Sequence, residues 1–289
     1  LQNPLAPDGA LLRRLAVLGA TRGPDWLLRA APAVLGPLFW ALRGGHRRGV
    51  RQNLEKILGP RSALRGRRDE VATFVNFARS MAEGIAALGP GRERAQIALR
   101  GSEHFHALDR GRGGILVTAH TGGFELAGAL LAERLGVEVV VVMRPEQSAR
   151  AREISDEVRR QGGLQVAHAG GDLSAAFDLA AALRRGAFLA MQIDRTPPEG
   201  KVLPVTLFGR PAALPLGPFA LARVTGAPLL PVFTRRVGFL SVEAQLTAPL
   251  SLPRRAGPAE QQEAAQRVAA TLETWIRAHP TEWFDWGQG

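Results

Sequence analysis

Between residues 97 and 246 the hydrophobic period of the chain keeps switching. Short apolar or β-branched runs at 97–100, 114–119, 137–143, 164–167, 187–193, 229–234 and 240–246 read as strands. Several are separated by stretches with helical spacing, at 124–135, 148–160, 173–185 and 218–224. Val139, Val140, Val141 and Val142 form a continuous apolar run, as expected of a strand covered on both faces. Such alternation predicts an α/β fold: a mostly parallel central sheet flanked by helices. A last helix is expected over about 258–278, after a loop holding Pro253, Gly257 and Pro258.

The first 90 or so residues have a different texture. Residues 9–20 and 24–43 read as two short apolar helices, with Arg13, Arg14, Arg29 and Arg43 interspersed. Trp26, Leu27, Leu28, Leu35, Leu38, Phe39 and Trp40 make a rich apolar surface, suited either to a membrane interface or to packing on the main domain. Val50, Leu54, Ile57 and Leu58 share one face of a following helix whose other face is basic. Val71, Phe74, Val75, Ala78, Met81, Ala82 and Ile85 keep the rhythm of an amphipathic helix with a core-facing stripe. The chain therefore divides into an N-terminal helical cap, residues 1–95, and an α/β core, residues 96–289, within one continuous domain.

Composition removes some classes of function. The absence of cysteine excludes thiol catalysis, disulfides and cysteine metal sites. The net charge is +11, and Lys56 and Lys201 are the only lysines among 37 basic residues. Arginine in such excess fits a nucleic acid, an anionic membrane or an acidic carrier protein, or reflects compositional bias alone. The basic residues are scattered and no aromatic stacking platform is visible, which disfavours nucleic acid. The longest charge-free run near the N-terminus, residues 30–42, is interrupted by Pro32 and Pro37 and is too short to span a bilayer. It does not end in a clean cleavage site for a signal peptide, and an anchor upstream of Leu1 stays open.

The chemistry is expected at residues 115–131. Ile115 to Ala119 are strand-like, His120 follows, a Thr121-Gly122-Gly123 turn intervenes, and Leu126, Leu130 and Leu131 open a helix. His120 should stand at the C-terminal end of a strand, where open α/β sheets bind ligands, and Glu125 in the first turn of the next helix. Across that corner the two side chains can meet, with Glu125 holding one ring nitrogen and the other free as a base; otherwise they are surface residues that never touch. Arg144, Asp194 and Arg195 also follow predicted strands. Ends of parallel strands point the same way, so these residues and His120 can form one cleft, with arginines to grip a phosphate, carboxylate or oxyanion. There is no Gly-x-Ser-x-Gly elbow, Walker loop or Rossmann fingerprint, and His104 and His106 lack partners for a metal site.

His120-Thr121-Gly122-Gly123-Phe124-Glu125 resembles the His-x4-acid motif of the lysophospholipid acyltransferase superfamily. Within it the chain is most similar to the bacterial lipid A biosynthesis (lauroyl/myristoyl) acyltransferases. Arg51-Gln52-Asn53-Leu54, Arg144-Pro145, Gln192-Ile193-Asp194-Arg195, Leu207-Phe208-Gly209-Arg210-Pro211 and Thr225-Gly226-Ala227-Pro228 resemble further blocks in the same order. Pro198-Glu199-Gly200 is similar to a block of the glycerol-phosphate acyltransferases but lies several residues too late. The resemblance implies transfer of a fatty acyl group from acyl-carrier protein or acyl-CoA to a hydroxyl of a lipid acceptor. That acceptor is expected to be a lipid A precursor-like glycolipid, with another glycolipid or a lysophospholipid as alternatives; mycobacterial mannoside acyltransferases belong to the same branch. It implies His120 as base, Glu125 as its orienting acid, and Arg144, Asp194 and Arg195 at the substrates. No metal or bound cofactor is required. The expected site of action is the cytoplasmic face of the inner (plasma) membrane, peripherally or through an N-terminal anchor, on an anionic membrane surface. A non-catalytic lipid-binding protein on the same fold is the rival reading, and an intact His120–Glu125 pair argues against it.

Overall fold

The computed structural model describes residues 17–108, 113–143, 165–168, 173–196 and 200–287. Arg144, the helix expected over 148–160, Arg13, Arg14 and Glu199 lie outside the described residues.

Nine strands are formed among these residues: β1 (Gln96–Arg100), β2 (Gly114–Thr118), β3 (Val139–Met143), β4 (Gln165–His168), β5 (Phe188–Gln192), β6 (Val202–Leu207), β7 (Arg210–Pro215), β8 (Leu229–Gly238) and β9 (Ser241–Leu246). Seven make one sheet in the order β1-β9-β8-β2-β5-β3-β4. From β8 to β4 all neighbours are parallel; β9 turns back antiparallel on β8 and carries β1 parallel beside it. The mostly parallel sheet is therefore as the alternating period predicts.

Strand β2 lies near the middle, between β8 and β5, and its first four residues are buried. Alternate residues serve opposite faces of the sheet. Ile115 and Val117 join Leu189, Leu229 and Phe233 in a core closed by α7 (Gly217–Thr225) and α8 (Pro258–Ala278), through Phe219, Leu272 and Trp275. Leu116 faces the other way, with Phe188, Val139 and Leu230, under Leu131 and Leu135 of α5 (Phe124–Leu135). Each such side chain contributes about 1.5–3 kcal/mol by leaving water.

The hairpin β6–β7 is separate from the main sheet and was not expected from the sequence. Pro204, Pro211 and Pro215 interrupt its runs and suppress the strand signal. Its edge is closed by α8: Gln266 accepts from the Thr206 amide at 2.7 Å and donates to the Thr206 carbonyl at 3.0 Å, as a neighbouring strand would.

The N-terminal helices are α1 (Asp25–Leu42), α2 (Gly44–Leu58) and α3 (Ala63–Ala87). α3 lies against α5 at the start of that helix, close enough that a side chain at Gly84 would overlap Cβ of Glu125. Leu28, Pro32 and Gly36 of α1 are buried, while Trp26, Val34, Leu38 and Leu42 are exposed. Trp40, grouped in the sequence with the apolar surface, instead donates its indole N–H to the buried Glu70 at 2.9 Å. A cavity of about 600 Å³ opens between α1 and α3, lined by Leu28, Leu35, Phe39, Phe77 and Met81, with Trp286 at its inner wall. Among the described residues no helix is long and apolar enough to cross a membrane.

Candidate active site

Strands β2 and β5 are paired in register, Thr118 opposite Gln192. Two residues further along each strand come His120 and Asp194, so the register itself brings the pair together. The Ile193 amide continues the ladder to the Thr118 carbonyl at 2.9 Å. His120 Nδ1 is 2.8 Å from Asp194 Oδ1, and the His120 amide donates to Asp194 Oδ2 at 3.0 Å. A second donor, the indole N–H of Trp283, reaches Oδ2 at 3.1 Å. The Asp194 side chain is wholly buried and that of His120 is 18% exposed.

Burial alone would raise the proton affinity of Asp194. The charge of His120, the hydrogen bonds from its ring and amide, and the charge of Arg195 outweigh burial and hold the carboxyl below its ordinary range. An ionised carboxylate at Nδ1 accepts a hydrogen bond, so Nδ1 carries the hydrogen and Nε2 keeps its lone pair. A base with one nitrogen engaged and the other free is what removal of a hydroxyl proton needs.

The acid at Nδ1 is thus Asp194, and the expectation that Glu125 would hold this position is corrected. The physical reason lies in the turn. Gly123, at φ 75°, sends the chain into α5 through a left-handed conformation, and the first turn of α5 packs on α3. Glu125 instead lines a narrow apolar crevice with Thr118, Phe124, Gly128, Met143 and Gln192. The crevice runs along the sheet beside the base: the Phe124 ring, part of its wall, lies 5.4 Å from the His120 ring. Arg195 is exposed and donates to the Phe284 carbonyl at 2.8 Å, tying it to the C-terminal segment.

That segment, residues 280–287, was missed in the sequence. Phe284 donates its amide to the His120 carbonyl at 2.8 Å, and Thr121 and Trp283 form an isolated antiparallel bridge. Trp286 packs on Phe74 and Phe77 of α3. Asn53 donates to the Asp285 carbonyl and carboxylate. The segment is too short and aperiodic to register as an element; its density of aromatics, Trp283, Phe284 and Trp286, is the one signal it carries.

Behind the His120 turn lies a second polar cluster. Ser80 accepts from the Gly123 amide at 2.9 Å. Glu282 accepts from the Arg236 amide at 3.1 Å and fills the space where a side chain at Gly122 would stand. Glu83, also buried, takes the Arg236 guanidinium at 2.8 Å. Burial pushes Glu83 and Glu282 above the ordinary carboxyl range, against the pull of Arg236.

Comparison with known proteins agrees with the family resemblance. Residues 15–286 match the family described as bacterial lipid A biosynthesis acyltransferase. The phosphatidylinositol mannoside acyltransferase of Mycolicibacterium smegmatis is 29% identical over 203 residues, 67% of this chain. That match spans 64% of the relative's length, less than two thirds of it. The Mycobacterium tuberculosis H37Rv protein of the same name is 28% identical over 258 residues, covering 86% of this chain and 78% of that one. Among solved structures, the 1-acyl-sn-glycerophosphate acyltransferase of Thermotoga maritima is similar over 88% of this chain and 98% of its own, at 18% identity and a TM-score of 0.40. The chain belongs to the bacterial lipid A biosynthesis acyltransferase family.

Proposed function

We propose that this protein transfers a fatty acyl group from a thioester donor, acyl-CoA or acyl-carrier protein, to a sugar hydroxyl of a membrane glycolipid. The observation that carries the reading is the His120–Asp194 pair at the ends of two adjacent strands, with an apolar crevice beside it. Nε2 of His120 takes the hydroxyl proton as the oxygen attacks the thioester carbonyl. The tetrahedral intermediate collapses, the C–S bond breaks, and the imidazolium returns its proton to the leaving thiolate. Asp194 stabilises the imidazolium and fixes the ring. A base positioned in this way contributes about 10²–10⁴-fold. Glu125 acts as a wall of the crevice. Arg195 braces the C-terminal segment and leaves exposed N–H groups for an anionic substrate, and Arg144 is assigned to the same anion. No metal or resident cofactor takes part in these steps.

The glycolipid assignment draws on the mycobacterial relatives, whose names specify a phosphatidylinositol mannoside. It takes precedence over the lipid A precursor. Incubation of the purified protein with palmitoyl-CoA and either phosphatidylinositol mannoside or a tetra-acylated lipid A precursor, read by mass spectrometry, tests the choice. An acylated mannoside formed by the parent and lost in His120→Ala is expected; acylation of the lipid A precursor alone would overturn the acceptor.

Such an acceptor is insoluble in water, so the reaction is assigned to a membrane surface, taken here as the inner face of the plasma membrane. The exposed Trp26, Val34, Leu38 and Leu42 of α1 and the apolar cavity behind them supply the contact surface. Changing Trp26, Leu38 and Leu42 together to Ser should abolish flotation with anionic vesicles while the circular dichroism spectrum stays that of the parent. Flotation by the folded variant equal to the parent's would exclude α1 as the attachment.

A further inference from the structure

Asp194 has two carboxylate oxygens with different tasks. Oδ2 receives two N–H groups from fixed frameworks, the His120 amide at 3.0 Å and the Trp283 indole at 3.1 Å. Oδ1 receives the His120 ring at 2.8 Å. An indole nitrogen donates and never accepts, so it serves a carboxylate only while that carboxylate is ionised or turns another lone pair to it. Trp283 is itself held firmly: it is 7% exposed, bridges Thr121 through its backbone, and has Phe208 against its ring at 6.0 Å. Its neighbour Phe284 is bonded on both sides, to the His120 carbonyl through its amide and to Arg195 through its carbonyl.

We propose that Trp283 is a positioning residue for His120: with the His120 amide it saturates Asp194 Oδ2, leaving Oδ1 to receive the imidazole in one orientation. Without the indole, Oδ2 would have one lone pair unmet, and more of the carboxylate charge would be left to face the imidazole. The inference rests on the acyl-transfer reading for its consequence in turnover, but not for its consequence at the histidine. Among the described residues the charged groups that act on the pair are Arg195, which draws the carboxylate charge, and Asp285, which opposes it; Glu125 lies on the following helix.

The test uses Trp283→Phe, which keeps an aromatic ring and deletes the donor. Trp286→Phe serves as a control that loosens the same segment without touching Asp194. His120 is followed by NMR in protein labelled at its six histidines, with His120→Gln to assign the signal. With one donor gone, Asp194 becomes more basic and holds the imidazolium more strongly, so the His120 titration should move to higher pH. The acid limb of kcat/KM for palmitoyl-CoA should move with it, because less His120 is then free as base at a given pH. Turnover at its pH plateau should fall about 10-fold with KM unchanged, the size expected for one hydrogen bond to a charged group. Trp286→Phe should leave both titrations in place. A His120 titration unmoved in Trp283→Phe, or moved as far in Trp286→Phe, overturns the proposal. Should Trp283→Phe fail to fold, the parent still decides. Of its five indole N–H signals, that of Trp283 should shift most in Asp194→Asn; equal or smaller movement than the others also overturns it. If the parent acylates no acceptor, the acyl-transfer reading fails while the NMR arms still give their answer.

Discussion

Two polar clusters centred on carboxylates stand on either side of the Thr121-Gly122-Gly123 turn, and they are built on opposite plans. In front, Asp194 is held ionised: the His120 ring, the His120 amide and Trp283 all donate to it. Behind, Glu83 and Glu282 share the guanidinium and amide of a single residue, Arg236, and burial raises both. A group that must stay charged while its neighbour gains and loses a proton needs donors enough to stay charged alone. Groups that only shape a turn can carry a raised proton affinity. The difference separates the machinery of the base from its scaffold.

The widest gap between the clusters should be seen in turnover. His120→Ala and Asp194→Asn should each reduce kcat for acyl transfer by about 10²–10⁴-fold, and the double variant should be little worse than His120→Ala, since the pair acts as a unit. Glu83→Gln, at a carboxylate that is also buried, should keep kcat within about 5-fold. A loss in Glu83→Gln as large as that in Asp194→Asn would remove the distinction between the clusters.

A smaller effect is expected where the clusters touch. A methyl group at Gly122 would stand 1.5 Å from Glu282 Oε2 and 3.2 Å from the Arg236 amide. Gly122→Ala must displace Glu282 or the turn, and movement of a reacting group by about 1 Å costs on the order of 10²-fold. Adding Glu282→Ala opens the space and should recover most of the lost rate. If the double variant is as slow as Gly122→Ala, the obstruction lies elsewhere in the turn.

Glu125 tests how far the geometry at Nδ1 governs the chemistry. Glu125→Gln preserves the shape of the crevice wall and should cost only about 2–5-fold in kcat/KM, against the far larger loss in Asp194→Asn. Equal losses would restore Glu125 to the role that the spacing of the motif suggests.

That misassignment shows what a single sequence can convey. His120 at a strand end and the helix after it are local features that emerge from residues 114–135, and the parallel sheet is a periodic one that emerges from the alternation over residues 97–246. Sheet order is neither. Glu125 is five residues from His120 and Asp194 is 74 residues away, so spacing favours the first, while only the β2–β5 register places the second at Nδ1. Asp194 was visible as a polar residue after a strand; its partner was not. The 280–287 segment had no period to read, and the prolines of β6 and β7 concealed a hairpin that survives because Gln266 of α8 meets its exposed edge.

The smallest effect concerns stability and has opposite signs in the two clusters. Asp194 has a folded-state pKa below its unfolded value, so it contributes stability above the ordinary carboxyl range, lost as pH falls through it. Glu282 has a folded-state pKa above its unfolded value, chiefly because it is buried, and the bonds from Arg236 do not fully compensate. The folded chain then binds its proton more tightly than the unfolded chain does, and stability is lost as pH rises from the ordinary carboxyl range through the raised pKa. Glu282→Gln keeps an oxygen for the Arg236 amide and removes the titration. At pH 4 the variant and parent should melt together. At pH 7 the variant should melt higher by about 2–4 °C, the size of a 1 kcal/mol effect in a chain somewhat shorter than this one. Asp194→Asn should show the reverse trend, its deficit greatest at pH 7 and shrinking toward pH 3. Differential scanning calorimetry across that range reads both. A Glu282→Gln variant less stable than the parent at pH 7 would mean that the pull of Arg236 exceeds the cost of burial, and that the rear cluster, like the front one, is built to keep its charge.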